Sequence, residues 1–379
     1  MITLLGLDGA TWDLLDPLMA AGEMPHLQRL CAQAARGPLL STWPPVTALA
    51  WPTFYTGQNP GKHGVFSFVQ RQADGREQVV SAADVHAPPL WAWTSAASRT
   101  AGVLGVPLTY PPRPLTGFLI PGFLTPPAAA DTSYPAGLLA DLAPHIGAWT
   151  FHIPPPAGEM RPDRVRGLIA DLIADADRRL AAIRLLRQRY RPDLLISVWM
   201  ATDTVQHLFW GLLHPDHPRY HHPEAAELRQ LILPLYRRLD EIVGALAAET
   251  LPDGVFLLMS DHGFGPVHRR LTLNSLLWRE GYLHLHGGRL LASRLRRRAR
   301  RMWPFAGPSG PERHIQAQPG QNAYIDWTRT RAFAGAAHEL CIHINRSDRF
   351  RQGCVPPAAA AGLAAELRPL LLALRDETG

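Results

Sequence analysis

Short apolar runs alternate along this chain with longer segments of helical periodicity. The strand-like runs are 2–7, 102–107, 118–120, 194–198 and 255–259. Two long segments, 163–183 and 228–246, instead repeat apolar residues every three or four positions, and Asp175 and Arg179 are predicted to lie on the outer helical face. This alternation predicts an α/β fold, with a central, mostly parallel sheet and helices on both faces.

Polar residues follow three of the predicted strands at or near the point where each strand ends. Asp8 comes directly after the first strand, Asp203 lies a few residues beyond 194–198, and Asp261 and His262 follow 255–259. Because ligands bind beyond the carboxyl ends of strands in open α/β sheets, we expect these side chains to meet in one crevice. His207 stands four residues after Asp203, so both project from one helical face.

Carboxylates and imidazoles are ligands of Zn²⁺, Mn²⁺ and Fe²⁺. Two such ions about 3.5–4 Å apart can bind the attacking and leaving oxygens of an in-line displacement. The sequence therefore predicts a two-metal phosphoryl-transfer site. Zinc is the expected ion, and manganese or iron are the alternatives.

Thr47 has a setting that suits the reacting hydroxyl of this site. It follows Pro44-Pro45-Val46, which predicts that it stands at a helix N-terminus, where backbone N–H groups favour anionic oxygens. A threonine hydroxyl becomes a useful nucleophile when a metal lowers its pKa. Lys62 and His63, a few residues further on, are candidates for binding substrate oxygens. An isolated threonine at such a position is usually a helix cap, so the prediction depends on all the motifs together.

The same motifs resemble the type I phosphodiesterase/nucleotide pyrophosphatase family of the alkaline phosphatase superfamily, from residue 1 to about residue 282. The resemblance implies an alkaline-phosphatase-like fold and metal-dependent hydrolysis of phosphate esters through Thr47. The metal ligands that it implies are Asp8, Thr47, Asp261 and His262 for one ion, and Asp203 and His207 for the other.

The last third of the chain departs from the family pattern. The family uses a third imidazole beside Asp203 and His207, from a Gly-x-His-like motif beyond the segment that 367–379 resembles. Two imidazoles, His338 and His343, could substitute, and His338 is the better placed because His343 is predicted to sit within a strand. We therefore expect a truncated chain with low solubility or weak activity.

The predicted domains are a catalytic core at 1–285, a basic insertion at 286–317 and a C-terminal part of the core at 318–379.

Charge is concentrated in one segment. The net charge is +6, and seven arginines fall between residues 289 and 301 without an acidic residue among them. The remaining chain is near neutral, which argues against nucleic acid as a structural partner. Residues 289–305 form a basic amphipathic pattern that is typical either of a solvated insertion or of a helix on an anionic membrane surface.

The compartment is predicted to be the cytoplasm, with peripheral membrane contact as an option. No apolar run reaches the ~20 residues that a membrane span needs. The three cysteines, Cys31, Cys341 and Cys354, lack the spacing of a metal site or a disulfide framework and are interpreted as packing residues.

The expected substrate is a small-molecule or lipid-linked phosphate ester. Two other functions stay open at this stage. One is a sulfatase or a phosphoryl-group transferase of the same superfamily, and the other is an inactive binding protein that retains the fold.

Overall fold

The structure is a computed structural model that describes residues 1–74, 76–127, 129, 132–156, 158–251, 253–267, 271–286, 325–335 and 341–375. The chain forms two compact units. The first, which we call the sheet unit, holds Met1–Val65 and Val80–Val267, and the second, the small unit, holds Phe66–Val79 and His268–Gly379. The predicted domain limits at 285 and 317 stay predictions. Some sequence-based predictions concern residues that the structure does not describe. These are His338, the segment 289–305 and the predicted insertion at 286–317, of which only residue 286 is described.

The described residues form nine β-strands. They are β1 Ile2–Leu7, β2 Val69–Arg71, β3 Glu77–Val79, β4 Ala101–Val106, β5 Gly117–Pro121, β6 Leu194–Trp199, β7 Val255–Met259, β8 Ala332–Ala334 and β9 Ile342–Ile344. The described α-helices are α1 Trp12–Ala20, α2 Pro25–Gln33, α3 Thr47–Thr56, α4 Pro60–His63, α5 Leu90–Ala96, α6 Leu138–Ile146, α7 Pro162–Tyr190, α8 Ala201–Leu213, α9 Ala225–Thr250, α10 Leu273–Arg279 and α11 Ala360–Leu372.

A five-stranded parallel sheet organises the sheet unit. Its strand order is β5-β4-β6-β1-β7, so β1 lies between β6 and β7. All six residues of β6 are buried, which is why this strand reads as a continuous apolar run. The predicted α/β fold with a parallel sheet is confirmed.

Helices cover both faces of this sheet. Leu5 and Leu7 of β1 join a large core with residues of α7 and α9, whereas the intervening Gly6 faces the other way. A side-chain carbon built on Gly6 would come within 2.4 Å of the Trp51 ring of α3. Alternate residues of β1 therefore serve two helical layers, and glycine is needed where the indole crosses the strand.

The prediction that Asp175 and Arg179 lie on the outer face of α7 is wrong. Arg179 is buried; its Nε donates to Asp175 Oδ2 at 2.6 Å, and its Nη2 donates to the carbonyl oxygen of Thr150 at 3.1 Å. Its guanidinium also lies over the Trp149 ring, 4.9 Å from the centroid. A buried charge needs partners of this kind. Two of the three partners, Thr150 and Trp149, lie before α7 in the chain, so the apolar periodicity of the helix does not indicate them.

The small unit combines two short antiparallel hairpin pairs with α10 and α11. β2 pairs with β3, and β8 pairs with β9. Its apolar cluster is formed by side chains that include Leu277, Phe333 and Leu363. The three cysteines carry free thiols. Among the described residues, no helix has both the length and the apolar character that a membrane crossing requires.

Candidate metal centre and nucleophile

Three predicted motifs meet at the carboxyl edge of the parallel sheet. Asp8 follows β1, and the neighbouring strands β6 and β7 lead into Asp203 and into Asp261-His262. The registers bring Leu7 beside Trp199 and Gly6 beside Met259. Since the three strands run in the same direction and end together, the side chains that follow them share one crevice.

The ligand atoms of this crevice are close enough to hold an ion. One atom each from Asp8, Asp203 and His262 lie within 4.8 Å of one another. His262 Nε2 is 3.5 Å from Asp8 Oδ1 and 3.6 Å from Asp261 Oδ2. His207 Nε2 lies 3.3 Å from Asp203 Oδ1, with the imidazole largely exposed. We refer to Asp8, Asp203, Asp261 and His262 as the acidic crevice.

Thr47 projects into the acidic crevice from the first turn of α3. Its Oγ1 lies 3.1 Å from His262 Nε2 and 3.3 Å from Asp8 Oδ1. The helix begins at Thr47 itself, after the extended residue Val46, so the hydroxyl sits beside N–H groups that have no acceptor within the helix. The sequence-based expectation of a helix N-terminus at this position is confirmed.

The His262 ring is oriented so that Nε2 is available as a ligand. Nδ1 lies 2.8 Å from the carbonyl oxygen of Gly263. A carbonyl oxygen can only accept a hydrogen bond, so Nδ1 carries a hydrogen and Nε2 is the ring nitrogen that faces the crevice. Backbone carbonyls commonly hold metal-binding histidines in this way.

Burial and like charge destabilise the ionised carboxyl groups. Burial raises the pKa of Asp8 well above its usual range, and the charges of Asp261 and Asp203 raise it further. Burial also raises the pKa of Asp261 to about 6. Asp203 Oδ1 and Asp261 Oδ2 are buried, and neither accepts a hydrogen bond of good geometry from a described residue, since His207 Nε2, 3.3 Å from Asp203 Oδ1, makes an ion-pair contact only. Buried oxygens that lack donors and repel one another are stabilised by a cation, so the residues present fit a divalent metal ion.

Sequence reasoning missed the residues that hold Asp8 in place. Trp51 Nε1 donates to Asp8 Oδ2 at 2.6 Å, and Thr202 Oγ1 donates to the Asp8 carbonyl oxygen at 2.6 Å. Gln206 Nε2 donates to the Gly9 carbonyl oxygen at 2.8 Å. Trp51 had a usable signal, because it stands one helical turn after Thr47. Gln206 had none, since its partner is distant in sequence.

Gly9 is required at the turn after β1. Its φ is +67°, and a side-chain carbon there would meet Asp203 Oδ1 at 3.1 Å. Its N–H donates to Asp261 Oδ1 at 3.3 Å. A residue with a side chain would therefore both strain the turn and push Asp203 away.

His63 and Lys62 lie differently from the crevice residues. His63 is buried, with Nε2 3.0 Å from Thr53 Oγ1 and Nδ1 accepting from the Val65 N–H at 3.2 Å. Burial lowers the pKa of His63 to about 4, so it is neutral at physiological pH. Lys62 is exposed on the short helix α4. The role of both residues in substrate binding stays a prediction.

Comparison with known proteins gave structural matches and a family. Two similar solved structures are of phosphonoacetate hydrolase from Sinorhizobium meliloti 1021, in complex with phosphonoformate and with phosphonoacetate. The first is 21% identical, with 73% of this chain and 61% of that chain covered and a TM-score of 0.45. The second is 18% identical, with 75% and 63% covered and a TM-score of 0.45. The chain thus spans less than two thirds of the length of these structures.

Comparison with curated proteins gave no match. The model of the family described as type I phosphodiesterase / nucleotide pyrophosphatase matches residues 2–331, which is most of the chain. The chain therefore belongs to the type I phosphodiesterase/nucleotide pyrophosphatase family.

Proposed function

We propose that this protein is a metal-dependent hydrolase of phosphate esters, of the phosphodiesterase or pyrophosphatase type, with Thr47 as its nucleophile. The position of Thr47 Oγ1, 3.1 Å from His262 Nε2 and 3.3 Å from Asp8 Oδ1, is the observation that carries the proposal. A hydroxyl that only capped a helix would not need two ligand-type side chains around its oxygen.

The proposed ligands fall into two groups around the crevice. Asp8, Asp261, His262 and the Thr47 oxygen would hold one ion, and Asp203 and His207 would hold the other. Two divalent ions, zinc in this proposal and manganese or iron as alternatives, supply positive charge that favours the threonine alkoxide and stabilises the phosphoryl oxygens.

The chain's own residues would carry the covalent steps. Asp8 Oδ1, at 3.3 Å, and His262 Nε2, at 3.1 Å, are the two acceptors that would take the proton of the Thr47 hydroxyl, which frees an oxygen lone pair for the attack on phosphorus. Thr47 Oγ1 forms a bond to phosphorus while the bond to the leaving-group oxygen breaks, giving a phosphothreonine and a free alcohol or phosphate after protonation. Water then attacks the phosphothreonine: its oxygen bonds to phosphorus, the bond between phosphorus and Thr47 Oγ1 breaks, the phosphate product leaves, and a proton of the water returns to Thr47. Free N–H groups at the start of α3 favour the negative oxygens of both steps.

Substitution of Thr47 tests the proposal. Thr47→Ala should leave almost no turnover of a chromogenic phosphate diester, whereas Thr47→Ser should keep part of it, because serine offers the same hydroxyl. Thr56→Ala is the matched control, since Thr56 lies in the same helix and bonds only locally to the Pro52 carbonyl and the Gln58 N–H. Near wild-type kcat in Thr47→Ala would show that Thr47 is not the nucleophile.

Substrate class is tested by a panel of esters with the metal-loaded protein. The proposal expects phosphate diesters to be hydrolysed faster than phosphate monoesters and sulfate esters. Faster hydrolysis of a sulfate ester would favour the sulfatase alternative, and metal binding without turnover of any ester would favour the binding protein.

A further inference from the structure

A second unusual polar group lies in the small unit, at the last residue of β2. Arg71 is surrounded by three aromatic rings from the C-terminal part of the chain. Its guanidinium carbon is 3.4 Å from the centroid of the Trp327 ring, 5.4 Å from that of Phe333 and 5.9 Å from that of Phe350. We call Arg71 and these three rings the arginine cage.

The Arg71 guanidinium has buried donors that lack acceptors. Nε and Nη1 are both buried, and neither has a hydrogen-bond partner among the residues that the structure describes. Such N–H groups usually find acceptors, and leaving one without any costs about 1–3 kcal/mol. Stacking on aromatic faces offsets part of that cost through the cation–π attraction, but it does not supply an oxygen acceptor.

Among the residues of the small unit that the structure describes, no carboxylate fills this role. Asp74 is bound to Arg76, Asp348 to Arg346 and Glu366 to Arg331. Glu77 lies opposite Arg71 in the β2–β3 ladder, and its charge acts on the guanidinium. No hydrogen bond joins Glu77 to Nε or Nη1.

The geometry of the guanidinium defines how an anion would reach it. An oxyanion binds in bidentate fashion to Nη2 together with either Nε or Nη1. Arg71 is only partly buried, and Nη2 is not among its buried unpartnered atoms. An anion that contacts Nη2 would lie next to Nε on one side and Nη1 on the other, the two nitrogens that lack acceptors, while the guanidinium stacks on the Trp327 ring.

We propose that the arginine cage is a binding site for an oxyanion, the carboxylate or phosphate group of a small molecule. The two orphaned nitrogens and the aromatic rings are what distinguish it from a surface arginine. The proposal is independent of the hydrolase function, since every residue of the cage lies outside the acidic crevice and outside the sheet unit.

Magnetic resonance on protein with ¹⁵N-labelled indoles tests the proposal. Metal is removed and the chelator is dialysed away, so that neither the crevice metals nor the chelator's own carboxylates compete. Phosphate and acetate are then added separately at constant ionic strength. The indole resonance of Trp327, assigned with Trp327→Phe, should shift in a saturable way.

Two variants and a control complete the test. Arg71→Gln should abolish the shift of the Trp327 resonance. Arg71→Lys keeps the positive charge but loses the paired N–H donors of the planar guanidinium, so it should weaken anion binding about tenfold or more. Arg76→Gln is the control, because Arg76 belongs to the same hairpin and is 85% exposed. Folding of each variant is checked by circular dichroism, and Arg71→Lys carries the test if Arg71→Gln unfolds.

The two anions identify the ligand chemistry. A shift with phosphate alone supports a phosphate site, and a shift with acetate as well supports a site for carboxylates too. Absence of a shift with both anions in the wild type overturns the proposal, and so does equal binding by wild type and Arg71→Lys.

Discussion

The acidic crevice and the arginine cage both contain buried polar atoms without partners, but of opposite kind. In the crevice the orphaned atoms are acceptors, Asp203 Oδ1 and Asp261 Oδ2, whereas in the cage they are donors, Arg71 Nε and Nη1. Orphaned acceptors among carboxylates fit a cation, and orphaned donors on a guanidinium fit an anion. On this argument, the unpaired atoms indicate the sign of the charge that each region would bind.

Metal removal should separate the two regions most strongly. Dialysis against a chelator should lower phosphodiesterase activity about a thousandfold or more, because the proposed ions stabilise both reacting oxygens. Binding of phosphate at the arginine cage should persist. Activity assays before and after adding back zinc, manganese or iron provide the measurement, and unchanged activity after exhaustive chelation would contradict the metal proposal.

Asp203→Asn should weaken metal binding without affecting the arginine cage. Replacing a charged ligand by a neutral one should lower zinc affinity at least about tenfold, measured by calorimetric titration of the metal-free protein. Asp216→Asn is the control, since Asp216 is exposed and follows the same helix. Equal zinc affinity in both variants would remove Asp203 from the ligand set.

Trp51→Phe tests whether the hydrogen bond to Asp8 orients that carboxylate. Loss of the 2.6 Å contact from Nε1 should reduce kcat or metal affinity about tenfold, the effect usual for partners of metal ligands. Trp93→Phe serves as the control, because Trp93 is 62% exposed on α5. If both variants keep wild-type kcat and zinc affinity, Trp51 acts only in packing.

The smallest effect concerns pH and the metal-free protein. The folded-state pKa of Asp261 is raised to about 6 from a usual value of 3.8, so its contribution to stability is present below pH 3.8 and is lost as pH rises toward 6. Relative to Asp261→Asn, metal-free wild type should lose on the order of 2 kcal/mol of unfolding free energy over that range. Denaturant unfolding at several pH values measures the difference, which should shrink when zinc is added. A difference that stays constant with pH would contradict the raised pKa.

The acidic crevice was predictable because its residues follow strands. Asp8, Asp203 and the pair Asp261-His262 each come after an apolar run, and parallel strands end at one edge of the sheet. The helix start at Thr47 was predictable from the prolines before it, whereas its role as nucleophile is what the family resemblance implies. Each of these signals lies within a few residues of the position that it predicts, so a single sequence is enough to find it.

The remaining contacts join distant segments without a local signal. Nothing near Arg71 indicates Trp327 or Phe350, and nothing in α7 indicates that Trp149 covers Arg179. Gln206 likewise reads as an ordinary helix residue, although it holds the Gly9 carbonyl. The periodicity of apolar residues indicates which face of a helix is buried. It does not indicate which residue from a distant segment will contact a polar side chain of that helix.

The stereochemistry at phosphorus tests the central claim, that Thr47 takes the phosphoryl group. A diester made chiral by sulfur substitution is hydrolysed by the metal-loaded protein in isotopically labelled water, and the configuration of the product is determined. Transfer first to Thr47 and then to water comprises two in-line displacements, so the account predicts net retention. Net inversion would mean that water attacks the ester directly and would contradict a threonine nucleophile.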